Sequence, residues 1–383
     1  MIPVSQAHVQ VAVGTHPGLH RKNNEDRYAV SAYLLSETQP IPAVLAIVAD
    51  GIGGHRAGEV AAEMAVETIS TMIANSDASQ PVQILQNALT AASQAIYQRA
   101  ESDPTLRGMG TTCACCWIIG DRLYTSAVGD SRIYLVRGNA IHQLSTDHTW
   151  LQEVINNGTL TPEQARGHPN RHVIQRFLGS REPSSPDMRL RLDNAESNAQ
   201  AESNQGLQLY PNDQILLCTD GLTDLVGQNE ILSRLRKQHG QAAVEGLVEL
   251  ANQRGGHDNI TNLLLQIPPG VLQRSKRSRR RNLVLTCLAF GILALVGVFL
   301  AVSGWRFDWN VFGSGPSGQT STPAVPLEVP NPEATARSVS KTPPVIDTLG
   351  QSTPVKTSAP DSATAPGLPV HLATLTPWPT NTP

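Results

Sequence analysis

The chain has 383 residues, 16% of them charged and 40% hydrophobic, with a formal net charge of −3. Six basic residues (Arg274, Lys276, Arg277, Arg279, Arg280 and Arg281) crowd into 274–281, and without them the formal charge falls from −3 to −9, which leaves nucleic-acid binding with no support outside that run. Five cysteines (Cys113, Cys115, Cys116, Cys218 and Cys287) offer no second ligand pair at zinc spacing, so they read as small buried residues of a reducing compartment.

Val9, Val11 and Val13 alternate with polar residues and predict a half-buried first strand before the His16-Pro17-Gly18 turn. Residues 1–13 hold no continuous apolar core, so no secretory signal is expected there. A strand over 44–49 enters a glycine-rich turn at 51–54, and two amphipathic helices follow over 57–74 and 82–99. Strands over 111–119, 122–128, 131–137 and 140–144 are joined by Gly120-Asp121, Gly129-Asp130 and Gly138-Asn139, which are hairpin signals. Residues 147–178 read as mixed helix and irregular chain, with a helix start at Thr161-Pro162-Glu163 and a break at His168-Pro169-Asn170. Residues 193–205 read as an exposed excursion before a strand near 207–210, and strands over 214–218 and 261–267 with helices over 230–238 and 242–253 complete the series. Strands and then helices, twice over, suit an α+β fold: a four-layer α/β/β/α sandwich of two antiparallel sheets with helices on each outer side.

Four aspartates border the apolar runs. Residues 43–49 end in Asp50-Gly51, 122–128 in Gly129-Asp130 and 214–218 in Thr219-Asp220-Gly221, while Asp258-Asn259-Ile260 opens the run at 261. In an antiparallel sheet the end of one strand lies beside the start of the next, so these carboxylates can share one rim, and hard divalent cations bind such oxygens. Taken singly, each acid reads as a turn residue or a strand-entry cap. The glycine turn is no nucleotide loop, because Arg56 stands where a dinucleotide fingerprint needs its third glycine and no Gly-Lys-Ser/Thr ending follows.

Six blocks in order, Arg21-Lys22-Asn23-Asn24-Glu25-Asp26, Asp50-Gly51-Ile52-Gly53-Gly54-His55, Gly108-Met109-Gly110-Thr111-Thr112, Val128-Gly129-Asp130-Ser131-Arg132, Cys218-Thr219-Asp220-Gly221-Leu222 and Gly256-His257-Asp258-Asn259-Ile260-Thr261, resemble the signatures of the metal-dependent Ser/Thr protein phosphatases of type 2C. The resemblance covers residues 5–268. It implies two Mn2+ or Mg2+ ions, which lower the pKa of a water and neutralise phosphate charge. Asp50 would span both ions and Gly51 would offer its carbonyl to one. Asp220 and Asp258 would complete the first ion and Glu25 the second, with Asp26 holding a water. Asp130 corresponds to a third, weaker ion shared with Asp220. Arg21 matches the phosphate-binding arginine. His55 corresponds to a general acid, but Ile52-Gly53-Gly54 separate it from Asp50-Gly51, and helix capping or solvent exposure is an equal alternative. Residues 147–178 fall where the family has a mobile flap. The implied function is hydrolysis of phosphoserine and phosphothreonine on cytoplasmic proteins, opposing a membrane Ser/Thr kinase; the alternative is a catalytically silent membrane receptor that binds phosphoproteins with the same fold.

Residues 283–302 carry no charge and no proline, which at about 1.5 Å per residue is long enough for a helix to cross a bilayer. Trp305, Phe307 and Trp309 follow at the expected interface, and the basic run before the span orients the N-terminal region to the cytoplasm. The same run could hold anionic lipid head groups. From Gly313 to Pro383 there are 14 of the 27 prolines and only 7 charged residues, and with no apolar period this tail is expected to be extended and disordered outside the membrane. The expected organisation is therefore a catalytic domain over 1–268, a basic linker over 269–282, a transmembrane helix over 283–303 and an extracytoplasmic tail over 304–383.

Overall fold

The computed structural model of the chain describes residues 1–269 apart from 53–55, 162–163, 165–167, 171 and 183–184. The expected linker beyond Pro269, the membrane span and the tail lie outside the described residues, as do His55 and Cys287. Among the described residues no helix is long and apolar enough to cross a membrane.

In chain order, β1 (Ile2–Pro3), β2 (Gln10–His16), β3 (Arg27–Leu34), β4 (Pro42–Ala49) and β5 (Gly51–Ile52) precede the helices α1 (Arg56–Ala74) and α2 (Pro81–Ser102). Then come β6 (Gly110–Thr111), β7 (Cys113–Ile119), β8 (Arg122–Val128), β9 (Arg132–Arg137), β10 (Ala140–Gln143) and the short helices α3 (Trp150–Asn156) and α4 (Asn198–Ser203). The last elements are β11 (Leu207–Gln208), β12 (Gln214–Cys218), α5 (Asp220–Thr223), α6 (Gln228–Lys237), α7 (Gly240–Gln253) and β13 (Ile260–Gln266). One antiparallel sheet runs β1-β3-β4-β7-β8-β11 and the other β10-β9-β12-β13-β2, with β5 and β6 as a small separate pair.

The alternation of the strands sorts the core into three layers. Leu45, Ile47 and Ala49 of β4, with Cys113, Cys115 and Trp117 of β7, face α1 and α2. The intervening Val44, Ala46, Val48, Ala114, Cys116 and Ile118 face the second sheet, meeting Ile133, Leu135, Ile215, Leu217, Leu263 and Leu265. On the far side Leu216, Cys218 and Leu264 face α5, α6 and α7. This is why β4 reads as a continuous apolar run: both of its faces are covered. In α1, Ala61, Ala65, Ile69 and Ile73 fall four residues apart on the buried stripe. Burying one Ile or Leu side chain in this way stabilises by about 1.5–3 kcal/mol, and truncating Ile47 to Ala would cost about 2–5 kcal/mol. The four described cysteines are free and buried, as expected from the strands that hold them.

Three expectations need correction. β3 has no counterpart in the sequence reading, because its two faces carry only the small Ala29 and Ala32 as buried anchors beside Tyr33, and Tyr28 and Ser31 break the apolar run on either face. The expected strand over 111–119 is broken at Thr112, which leaves the ladder to bond Asp50. Residues 193–205 are more than an exposed excursion: they contain α4, closed by a Ser197/Gln200 capping box and anchored by the fully buried Ala201.

Candidate metal centre and phosphate site

The register of both sheets brings the acid-bearing strand ends to one rim. Arg27 at the start of β3 lies opposite Ala49 at the end of β4, so Glu25 and Asp26 arrive beside Asp50. Val128 at the end of β8 lies opposite Cys113. In the second sheet Cys218 is opposite both Arg132 and Asn262, which places Asp220 and Asp258 on the same rim as Asp130. Arg21, Glu25, Asp50, Gly51, Asp220 and Asp258 line one cavity of about 440 Å³, together with Lys22 and Ile174. Asp26 and Asp130 stand behind this wall, 4% and 6% exposed. The position of His55 is not described.

Close backbone approach explains the glycines. A Cβ on Gly51 would lie 2.3 Å from the carbonyl oxygen of Gly58 and 2.9 Å from that of Glu25. On Gly221 it would lie 2.0 Å from the Asn259 carbonyl oxygen. Gly58 is a partner that the sequence reading missed: it lets the first turn of α1 pack on Gly51 and on the Glu25 carboxylate. Its signal was a glycine inside a helical pattern.

Neutral side chains fix the acids. The Asn259 side chain accepts from the Glu25 amide at 2.7 Å and donates to the carbonyls of Pro17 and Asn23 at 3.0 and 2.9 Å, stitching the 17–25 loop to the start of β13. Thr111 and Thr112 grip Asp50: the Thr111 hydroxyl donates to its carbonyl at 2.8 Å, and Thr112 Oγ1 accepts from its amide at 3.1 Å. Thr112 Oγ1 also lies 2.7 Å from Ser131 Oγ, which ties Asp50 to the Asp130 turn. Thr219 donates to Asp26 at 3.0 Å. The ion pair of Arg27 with Glu59 fastens β3 to α1. Thr111, Thr112, Ser131, Thr219 and Asn259 all fall within the quoted sequence blocks, but their roles as partners of the acids had no signal there.

Burial, and then the neighbouring carboxylates, push the acids upward: Asp26 to about 7 and Asp220 to about 6. Asp50 and Asp130 rise well above the usual carboxylate range for the same two reasons. Arg21 is exposed and donates to Asp258 at 2.8 Å, a bond that raises its already high pKa.

The donor set fits hard cations. Oδ1 atoms of Asp26, Asp130 and Asp220 are buried without a hydrogen-bond partner, and such orphaned acceptors cost about 1–3 kcal/mol each unless something satisfies them. Every side-chain donor is oxygen. Among the described residues no three His, Cys, Asp or Glu side chains close into a group that could hold an ion by themselves. Glu25, Asp50, Asp220 and Asp258 would hold hard cations at the cavity, with Asp26 and Asp130 behind.

A family model described as protein phosphatase 2C matches residues 20–254. The serine/threonine protein phosphatase PstP of Mycobacterium tuberculosis is 33% identical over 259 residues, 68% of this chain and 45% of that protein; the match thus spans less than half of PstP's length. Protein phosphatase PhpP of Streptococcus pneumoniae is 32% identical over 263 residues, 68% of this chain and 98% of that protein. A crystal structure of the PstP catalytic domain in complex with 2 manganese ions superposes with a TM-score of 0.55 at 31% identity, covering 67% of this chain and 97% of that one.

Proposed function

The chain belongs to the protein phosphatase 2C family, and from that premise we propose that it hydrolyses phosphoserine and phosphothreonine on proteins, with Mn2+ or Mg2+ at the rim cavity. The observation that carries this reading is the convergence of Glu25, Asp50, Asp220 and Asp258 with Arg21 on one cavity, backed by buried carboxylate oxygens that lack a partner. When bound, the ions would activate a water and neutralise phosphate charge.

The protein's own residues orient the reaction. Asp50 sits at the junction of the two sheets' acids and, gripped by Thr111 and Thr112, is the ligand best placed to serve both ions. Asn259 fixes Glu25 relative to Asp258. Arg21, exposed at the mouth, can leave Asp258 and give its guanidinium fork to two phosphate oxygens. Asp130, electrostatically coupled to Asp220, is the candidate ligand of a weaker third ion. His55 is proposed as the proton donor to the departing serine or threonine oxygen.

The same proposal places the chain in a membrane, with residues 283–303 as a single span, the catalytic domain in the cytoplasm and the tail outside. That location suits opposition to a membrane Ser/Thr kinase and its substrates. The test is hydrolysis of phosphothreonine, phosphoserine and phosphotyrosine peptides by the full chain, with Mn2+, Mg2+ or chelator. Metal-dependent turnover of the first two is expected; binding of phosphopeptide without turnover would favour the silent-receptor alternative, and full activity after exhaustive chelation would exclude the metal mechanism.

A further inference from the structure

Behind the Asp130 turn runs a series of buried hydrogen bonds for which the proposed reaction has no use. The Gly129 amide donates to Nδ1 of His148 at 3.1 Å, and the His148 amide donates back to the Gly129 carbonyl at 2.9 Å. His148 is only 7% exposed. Because Nδ1 accepts, the ring proton belongs on Nε2, which lies 3.2 Å from Asp187 Oδ2. Asp187, 8% exposed, also accepts from the Arg189 amide at 2.9 Å and from Arg189 Nε at 2.8 and 2.9 Å. Reciprocal backbone bonds with Ala127, at 3.0 and 3.1 Å, lock Asp187 to β8 two residues before Gly129. Burial alone would raise the Asp187 carboxyl, but the bonds from His148 and Arg189 outweigh it and hold the group below its usual range.

The turn itself has little freedom. Gly129 has φ +100°, and a Cβ there would lie 2.6 Å from Thr112 Cβ. His148 also roots the stretch that carries Ile174 into the cavity wall: its carbonyl accepts from the Gln175 amide at 2.8 Å, Thr149 bridges to Ile174, and the Trp150 amide donates to Val173 at 2.9 Å. His148 thus joins the two, its ring and amide bonding the Asp130 turn and its carbonyl bonding the root of a cavity-lining segment.

We propose that His148, held as its Nε2–H tautomer by Asp187, is a positioning residue that fixes the Asp130 turn against the root of the segment bearing Ile174, and so sets ion ligation at Asp130. The part concerning ions rests on Asp130 being a ligand; the tautomer does not. An aspartate partner is essential to the device. An asparagine at 187 would turn an amide donor either toward Nε2–H or toward Arg189, so one pair of donors would always face each other.

The test uses the full chain with 15N-labelled histidine, His148 being assigned by its loss in His148→Gln. The wild-type spectrum should show Nδ1 as an unprotonated acceptor and Nε2 carrying a slowly exchanging proton. An Nδ1–H ring, a doubly protonated ring or rapid averaging of both tautomers would overturn the proposal, whatever the enzyme's activity. In Asp187→Asn the tautomer should shift or average. Affinity for the most weakly held Mn2+, read by electron paramagnetic resonance, should fall about 10- to 100-fold, as when a group supporting a metal ligand is removed. KM for a phosphothreonine peptide at saturating Mn2+ should stay within threefold of wild type, roughly 0.7 kcal/mol. Unchanged Mn2+ binding in a folded Asp187→Asn protein would overturn the coupling to Asp130, and if that variant does not fold, the wild-type spectrum still decides the tautomer on which the proposal stands.

Discussion

Asp26 shows how far the fold alters an acid's chemistry, since it is buried with one oxygen bonded to Thr219 and the other unpartnered. Its pKa of about 7 against an ordinary 3.8 has a definite consequence for stability. Between those values the folded chain keeps a proton that the unfolded chain releases, so the contribution is full below about 4 and is lost as pH rises through about 7. Asp220, raised to about 6, acts in the same direction. In chelator, thermal melts should therefore give a higher Tm at pH 5 than at pH 8, and Mn2+ added at pH 8 should recover the difference; a Tm that rises from pH 5 to 8 without metal would show that burial and neighbouring charge do not raise these acids. Arg21 belongs to a different class, being exposed and ion-paired with Asp258. Arg21→Ala should raise KM for a phosphopeptide about tenfold with a much smaller change in kcat, provided it binds phosphate equally in ground and transition states. Mn2+ affinity should stay near normal, and a loss of metal binding would reassign Arg21 to the metal centre.

At the scale of strands and loops, the site exists because β3, β4, β12 and β13 start or stop at the same edge. Much of that was legible, since Asp50, Asp130, Asp220 and Asp258 each punctuate an apolar run and antiparallel pairing carries strand ends to a common rim. The bonds by which their neighbours hold the acids were not legible. Asn259 reads as the neighbour of an aspartate, and only the folded chain shows it bonding to Glu25, Pro17 and Asn23. Likewise β3 hides behind alanines and α4 behind a polar composition, because small or sparse anchors such as Ala29 and Ala201 leave no strong period. Asn259→Ala removes three hydrogen bonds and leaves a part-buried amide unsatisfied, at a cost of about 1–3 kcal/mol. Urea unfolding should show this loss, with weaker Mn2+ binding in the variant that remains folded. An Asn259→Ala protein of unchanged stability and metal affinity would mean that the loop is held by other contacts.

For the whole molecule, the proposed arrangement puts the rim cavity on the cytoplasmic side of a membrane, with the basic run 274–281 next to the lipid. Protease added to intact cells should trim the chain beyond Gly313 and leave residues 1–280 whole on an immunoblot; loss of the N-terminal region instead would reverse the orientation. The central claim, that two ions sharing Asp50 perform phosphoester hydrolysis, is tested most directly by comparing Asp50→Asn with the wild-type chain in one phosphothreonine-peptide assay. The substitution hardly changes volume and removes a carboxyl whose ionisation burial and its acidic neighbours oppose, so the metal-free protein should be as stable as wild type or more so. Turnover at matched Mn2+ should fall by several orders of magnitude, with Mn2+ binding weakened at both sites. Near-normal turnover by a folded Asp50→Asn protein, free of wild-type enzyme, would contradict the assignment.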